Sequence, residues 1–172
     1  MSNLNFSFLK QHGLNIILTA ILIIVAVKKI PSIVQMYRAE GTIAKNATTL
    51  DLNKQVISIP LPKKHILVFW ATWCGPCKVE LGRINAMILS GQITPESVLA
   101  ISIGEDPNVV SSFVDEQKYL FKVAIDISGQ AAHVYQVSGT PTILFIGADQ
   151  KVNWITAGIS PSLEFRIRSF LK

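Results

Sequence analysis

Three patterns of apolar and polar residues follow one another along this chain. The first is LNIILTAILIIVAV, Leu14 to Val27, which holds no charge and only Asn15 and Thr19 as polar interruptions, with Lys10 before it and Lys28 and Lys29 after it. Its length at about 1.5 Å per residue is about 21 Å, short of the roughly 30 Å hydrocarbon core of a bilayer. Adding Gly13 and Ile30, and letting the lysine stems snorkel to the headgroups, brings residues 13–30 close to spanning length. No A-x-A-like cleavage site follows, and two lysines directly behind the run are poor context for cleavage. A retained membrane anchor is therefore favoured over a cleaved signal peptide.

The second pattern is polar: Pro31 and YRAEGTIAKNATT (Tyr37 to Thr49) read as a juxtamembrane helix or linker. The expected division is an anchor in 1–34, a linker in 35–47 and a single folded domain in 48–172. The third pattern is that domain. TTLDLNKQVISI alternates on both sides of Asn53-Lys54, predicting a hairpin, and HILVFWA (His65 to Ala71) is a nearly continuous apolar run, predicting a central strand buried on both faces. From Pro76 to Leu89 apolar residues recur at Val79, Leu81, Ile84, Met87 and Ile88, a helical stripe. Further strands are expected at Ser97–Ile103, Lys122–Asp126, Thr142–Gly147 and Lys151–Ala157. Helices are expected over EDPNVVSSFVDEQK, with Asp106 as N-cap and Pro107 first, over Ser128–Val137, and over SPSLEFRIRSFL, capped by Ser160. Strands alternating with helices, then a last hairpin and helix, predict an α/β sandwich with a mixed central sheet.

Composition adds two constraints. Hydrophobic residues make up 49% of the chain, high for a purely soluble protein, and the excess sits in the first pattern. The net charge is +5, but Lys10, Lys28, Lys29, Arg38 and Lys45 against Glu40 leave only +1 after Lys45. That distribution suits anionic lipid headgroups and leaves no patch for nucleic acid.

The chemistry lies in WATWCGPCK, Trp70 to Lys78, which contains both cysteines of the chain. A closed zinc site needs four ligands, and no second C-x-x-C or H-x₃₋₅-H exists; His65 and His133 are isolated. Copper binding by two thiolates and His133 stays open as a minor alternative. A purely structural disulfide would close a tiny loop and remove little chain entropy. Redox cycling fits better. Cys74 stands where a helix begins, so backbone N–H groups and the helix dipole favour its thiolate, and Cys77, one turn on, is placed to resolve a mixed disulfide. Lys78 adds positive charge nearby, and Trp70 is expected in the core.

WCGPCK after an apolar strand, with GTPT far downstream, resembles the thioredoxin superfamily. The anchor, the N-terminal hairpin and an extra helix and strand at about Asp106 to Asp126 resemble its membrane-anchored TlpA/ResA-type branch. The resemblance covers roughly residues 48–172 and implies a thioredoxin-like three-layer sandwich behind an N-terminal transmembrane helix. It implies that Pro141 follows a cis peptide bond, that Thr140 offers its backbone to an extended substrate, and that Trp73, Gly75 and Pro76 shape the docking rim. Glu80 matches the glutamate of the CxxCxxE pattern and is the implied acid/base. Val68 stands where thioredoxins carry a buried acid, and Gly82 where both relatives carry a helix-kinking proline.

The function so implied is reduction of disulfides in envelope proteins such as apocytochrome c, with a membrane thiol-reductase as electron donor, no prosthetic group and no metal; the sequence shows no oligomeric state, and a monomer is assumed. An oxidase or isomerase would share every residue named, and a Cu(I) chaperone is the remaining rival. The family places the catalytic domain outside the cytoplasmic membrane, facing the periplasm or cell exterior. The positive-inside rule leans the other way, because Lys28, Lys29 and Arg38 follow the span while only Lys10 and the amino terminus precede it. The family expectation is preferred, since a membrane-held reductase has a use where soluble thioredoxin does not reach.

Overall fold

The computed structural model describes residue 13, residues 15–25, residue 27, residue 34 and residues 37–172. Two compact units divide the chain between Gln35 and Met36. In the first, residues 15–25 are helical, and the apolar side chains described there, among them Ile16, Leu18 and Leu22, are exposed. The expected membrane helix over 13–30 lies in part outside the described residues. Among the described residues no helix is long and apolar enough to cross a membrane.

The second unit is built on a seven-stranded mixed sheet. In chain order its strands are β1 (Ala47–Asp51), β2 (Val56–Ile59), β3 (His65–Trp70), β4 (Val98–Ile103), β5 (Lys122–Asp126), β6 (Thr142–Ile146) and β7 (Val152–Ala157). In space they run β2-β1-β5-β4-β3-β6-β7. Strands β3, β4 and β5 are parallel, while β1, β2, β6 and β7 join antiparallel. The helices are α1 (Gly75–Leu89), α2 (Pro107–Gln117), α3 (Gln130–Val134) and α4 (Leu163–Leu171), with a 3-10 turn at Pro95–Ser97.

The unbroken apolar run of β3 has the cause its pattern predicts. Ile66, Val68 and Trp70 enter one core with Leu81 and Ile84 of α1, Val110 of α2 and Leu163 and Ile167 of α4. Leu67 and Phe69 enter a second core with Ala131 and Ala132 of α3, Leu144 and Ile155. Alternate residues of a strand point to opposite faces, so a strand covered on both sides must be apolar throughout. The result is the three-layer α/β sandwich.

Local signals explain most boundaries. Asp106 caps α2, its carboxylate accepting from the Asn108 N–H at 2.8 Å, with Pro107 following. Lys54 takes a left-handed φ of 63° in the β1–β2 turn. Helix α4 differs from expectation. It begins at Leu163 with Ser162 at the cap position, and Ser160 heads a turn before it, its carbonyl accepting the Leu163 N–H at 3.0 Å.

The stretch 35–47, expected as a linker, is packed onto the outer edge of β7 in its described part. Gly41 donates to the Val152 carbonyl (2.7 Å), the Val152 N–H to Thr42 (2.9 Å), Ala44 to Gln150 (2.8 Å), and the Ile155 N–H to the Glu40 carboxylate (2.8 Å). Composition made the stretch look solvated, but an exposed strand edge offers backbone partners that even polar residues can use.

Candidate active site

Strands β3 and β6 bring two loops to one end of the sheet. Phe69 pairs with Thr142, so the loop leaving β3 at Ala71 and the loop entering β6 at Pro141 are neighbours. The first loop carries the cysteines. Cys74 is the N-cap of α1 in extended conformation (φ −83°, ψ 102°), and its sulfur accepts the Cys77 N–H at 3.2 Å. The helix therefore points its free N–H groups and positive dipole end at Cys74 Sγ, which favours a thiolate there. Cys74 and Cys77 form a disulfide, S–S 2.10 Å with Cα atoms 5.2 Å apart. Cys74 keeps 5% of its surface open and Cys77 none, so the outer sulfur is the one a partner meets first.

The other expected rim residues lie where the loops place them. Trp73 is 75% exposed beside Cys74, Gly75 and Pro76 are exposed in the first turn of α1, and Thr140 is half-buried before a buried Pro141. The Thr140–Pro141 bond is cis, as the resemblance implied; Ile59–Pro60, which no sequence feature singled out, is cis as well. A cavity of about 510 Å³ opens between the cysteine loop and α2, lined by Thr72, Trp73, Asn108, Val109, Ser112 and Phe113 among others. Lys78 turns away from a purely solvated position to lie over the Phe113 ring, 5.1 Å from its centre.

Glu80 is fully buried. One carboxylate oxygen accepts the Ser160 N–H at 2.6 Å and the other meets Arg83 Nη1 at 3.0 Å. Arg83 also reaches Glu164 (3.1 Å) and the Ser160 carbonyl (2.8 Å). Glu80 shares a helix face with Cys77 through its i,i+3 spacing, while its oxygens tie α1 to the segment before α4. Val68 and Trp70 are core residues, and Gly82 is exposed on α1.

One residue of the site escaped the sequence reading. Glu105, just past β4, takes the Thr72 backbone N–H at 2.9 and 3.1 Å to its two oxygens, the Thr72 hydroxyl on one and the Ser102 hydroxyl on the other. It pins the residue two before the nucleophile. The signal available was position alone. Strands β3 and β4 are adjacent and parallel, so an acid shortly after one stands beside the loop that leaves the other.

His65 is not a ligand in waiting. It is buried at the start of β3, its Nε2 accepting from the Leu61 N–H (3.3 Å) and its Nδ1 facing the Lys63 carbonyl. His133 is exposed on α3, and among the described residues no group of three or more His, Cys, Asp or Glu is placed to hold a metal ion.

Comparison with known proteins completes the picture, for residues 40–155 match the AhpC/TSA family. The chain belongs to that family. Within it the likeness is of the TlpA/ResA type. This family member is 30% identical over 122 residues to the thiol-disulfide oxidoreductase ResA of Bacillus subtilis, covering 70% of this chain and 68% of that one. It is 31% identical over 96 residues to ResA of Oceanobacillus iheyensis, covering 56% and 50%. The chain thus spans between half and about two thirds of these relatives. Among solved structures, a candidate thiol:disulfide interchange protein DsbE of Chlorobium tepidum superposes with a TM-score of 0.66 at 26% identity, over 77% of this chain and 98% of that one. A secreted Mycobacterium tuberculosis disulfide oxidoreductase does so at 0.56 and 25%, over 71% and 92%.

Proposed function

We propose that this protein is a membrane-anchored thiol-disulfide oxidoreductase that reduces disulfides of envelope proteins. The observation that carries the reading is the Cys74–Cys77 disulfide at the N-terminus of α1, with Cys74 at 5% exposure and Cys77 fully buried. In the reduced state the Cys74 thiolate attacks a substrate disulfide, forms a mixed disulfide and releases one substrate thiolate. Cys77 then attacks Cys74 Sγ, the second substrate thiol leaves, and the internal disulfide forms, so that two electrons have passed to the substrate. An external dithiol, in this reading a membrane thiol-reductase, returns the pair to the reduced form.

Docking uses Thr140 and Pro141 on one side and Trp73, Gly75 and Pro76 on the other, an extended substrate pairing with the Thr140 backbone. Glu80, one turn beyond Cys77, is the group that takes the Cys77 proton. The anchor is residues 13–30, supported by the exposed aliphatic side chains of the helical stretch 15–25. The catalytic domain faces the periplasm or cell exterior, and apocytochrome c is the kind of substrate such an enzyme would serve.

Insulin reduction with dithiothreitol tests the chemistry. Cys74→Ser should abolish it, and Cys77→Ser should retain attack but accumulate a mixed disulfide that gel electrophoresis detects; wild-type activity in either variant refutes the mechanism. For Glu80, E80Q should slow release of that mixed disulfide with a changed pH profile, while leaving the first attack intact. A reporter fused after Lys172 and active only in the cytoplasm would overturn the location.

A further inference from the structure

We infer that the end of this domain remote from the disulfide carries an anion site for a phosphate-bearing ligand. A cavity of about 530 Å³ is lined by Lys63 and Lys64 of the β2–β3 loop, Thr94 and Ser97 of the α1–β4 connection, and Arg168 and Lys172 at the end of α4. No carboxylate side chain lines it; Glu96 stands on the same connection outside the lining. Among the described residues none of the four cations forms an ion pair, since the pairs made there join Arg83 to Glu80 and Glu164 and Lys151 to Asp149.

Four like charges around one hollow repel one another; the last carbonyls of α4 offset them in part, and no acidic side chain lies among them. Two of them are nevertheless held in place. Arg168 Nη1 donates to the Gln92 side chain at 3.1 Å, and Lys64 Nζ donates to the Phe170 carbonyl at 2.8 Å while lying over the Phe170 ring. A preset guanidinium, three ammonium groups and the Thr94 hydroxyl suit a compact, multiply charged oxyanion, while the Ser97 hydroxyl donates to the Thr94 carbonyl at 2.6 Å. Buried Ile93 and half-buried Leu171 add an apolar floor on which a non-ionic part of the ligand can rest.

A phosphate group fits this set better than an acidic peptide. The strand that borders the cavity, β3, is paired on both sides, so a peptide finds no free backbone to extend. The cavity is also separate from the redox centre. Cys74 opens α1 and Gln92 lies beyond its far end, and a helix of 15 residues is about 22 Å long. The inference therefore stands apart from the redox reading.

The test uses the full chain in zwitterionic detergent, titrated with inorganic phosphate while amide resonances of Lys63, Gln92, Thr94 and Arg168 are followed. A parallel arm replaces detergent with phosphatidylcholine bicelles, with and without phosphatidylglycerol. Saturable shifts at these amides that weaken with salt, and an affinity at least tenfold lower in K63Q/R168Q, are expected from one probe or both. Response to free phosphate alone marks a soluble phosphate compound as the ligand; response to phosphatidylglycerol marks a lipid headgroup. The unfolding midpoint of K63Q/R168Q, with K63Q alone as a milder variant, checks that the fold is kept. Absence of saturable shifts with both probes, unchanged affinity in the variants, or binding of polyglutamate with neither phosphate probe active would overturn the site.

Discussion

Glu105 fixes the residue two before Cys74, because one carboxylate gathers two hydroxyls and a backbone N–H from the ends of two strands. Hydrogen bonds to a charged acceptor are each worth about 1.5–3 kcal/mol, and part of this carboxylate meets solvent. Glu105→Ala is expected to lower the unfolding free energy by about 2 kcal/mol in urea titration, with Glu105→Gln recovering part of the loss. His65 gives a second prediction. Burial pushes its pKa below the ordinary 6.5, outweighing its bond to the Lys63 carbonyl, so the folded state holds it neutral. Below about 6.5 the unfolded chain binds a proton that the folded one refuses, so this contribution is present at neutral pH and lost as pH falls toward the lowered value. Unfolding midpoints of wild type should drop between pH 7 and 5 more steeply than those of His65→Gln. The cysteine pair, the exposed Trp73 and the cis bond before Pro141 were legible because each sits in a short local motif, WCGPCK or GTPT. Glu105 was not, since its meaning depends on Thr72, which lies far away in sequence and is brought close only by strand pairing.

Helix α1 shows what a pattern can specify and what it leaves open. Its apolar stripe and its start at the cysteine pair were readable, because a buried face must recur every three to four residues. Gly82 interrupts it at a position that is exposed, and a Cβ placed there would meet no atom within 4 Å. Gly82→Ala should therefore stabilise the protein by about 1 kcal/mol, read as a higher melting temperature with unchanged insulin reduction. The burial of Glu80 was not readable. Its spacing from Cys77 fixed the helix face, but the Ser160 N–H that meets it, and Glu164 that holds its neighbour Arg83, come from the far end of the chain.

At the scale of the molecule, the order of strands and helices was legible and the fate of residues 37–46 was not. Their polar composition hid that they complete the β7 edge. A chain starting at residue 37 should unfold cooperatively, whereas one starting at residue 45 should lose about 4 kcal/mol, from three backbone hydrogen bonds and the Glu40 contact at roughly 1 kcal/mol each, and should self-associate in sedimentation experiments. The opposite border of the sheet is β2, only four residues long and followed at once by Pro60, which has no N–H to give. With one flank sheathed and the other cut short, the molecule has little open border along which copies of itself can polymerise. On the proposed reading, an extended client would then pair beside Pro141 and not along a border of the sheet.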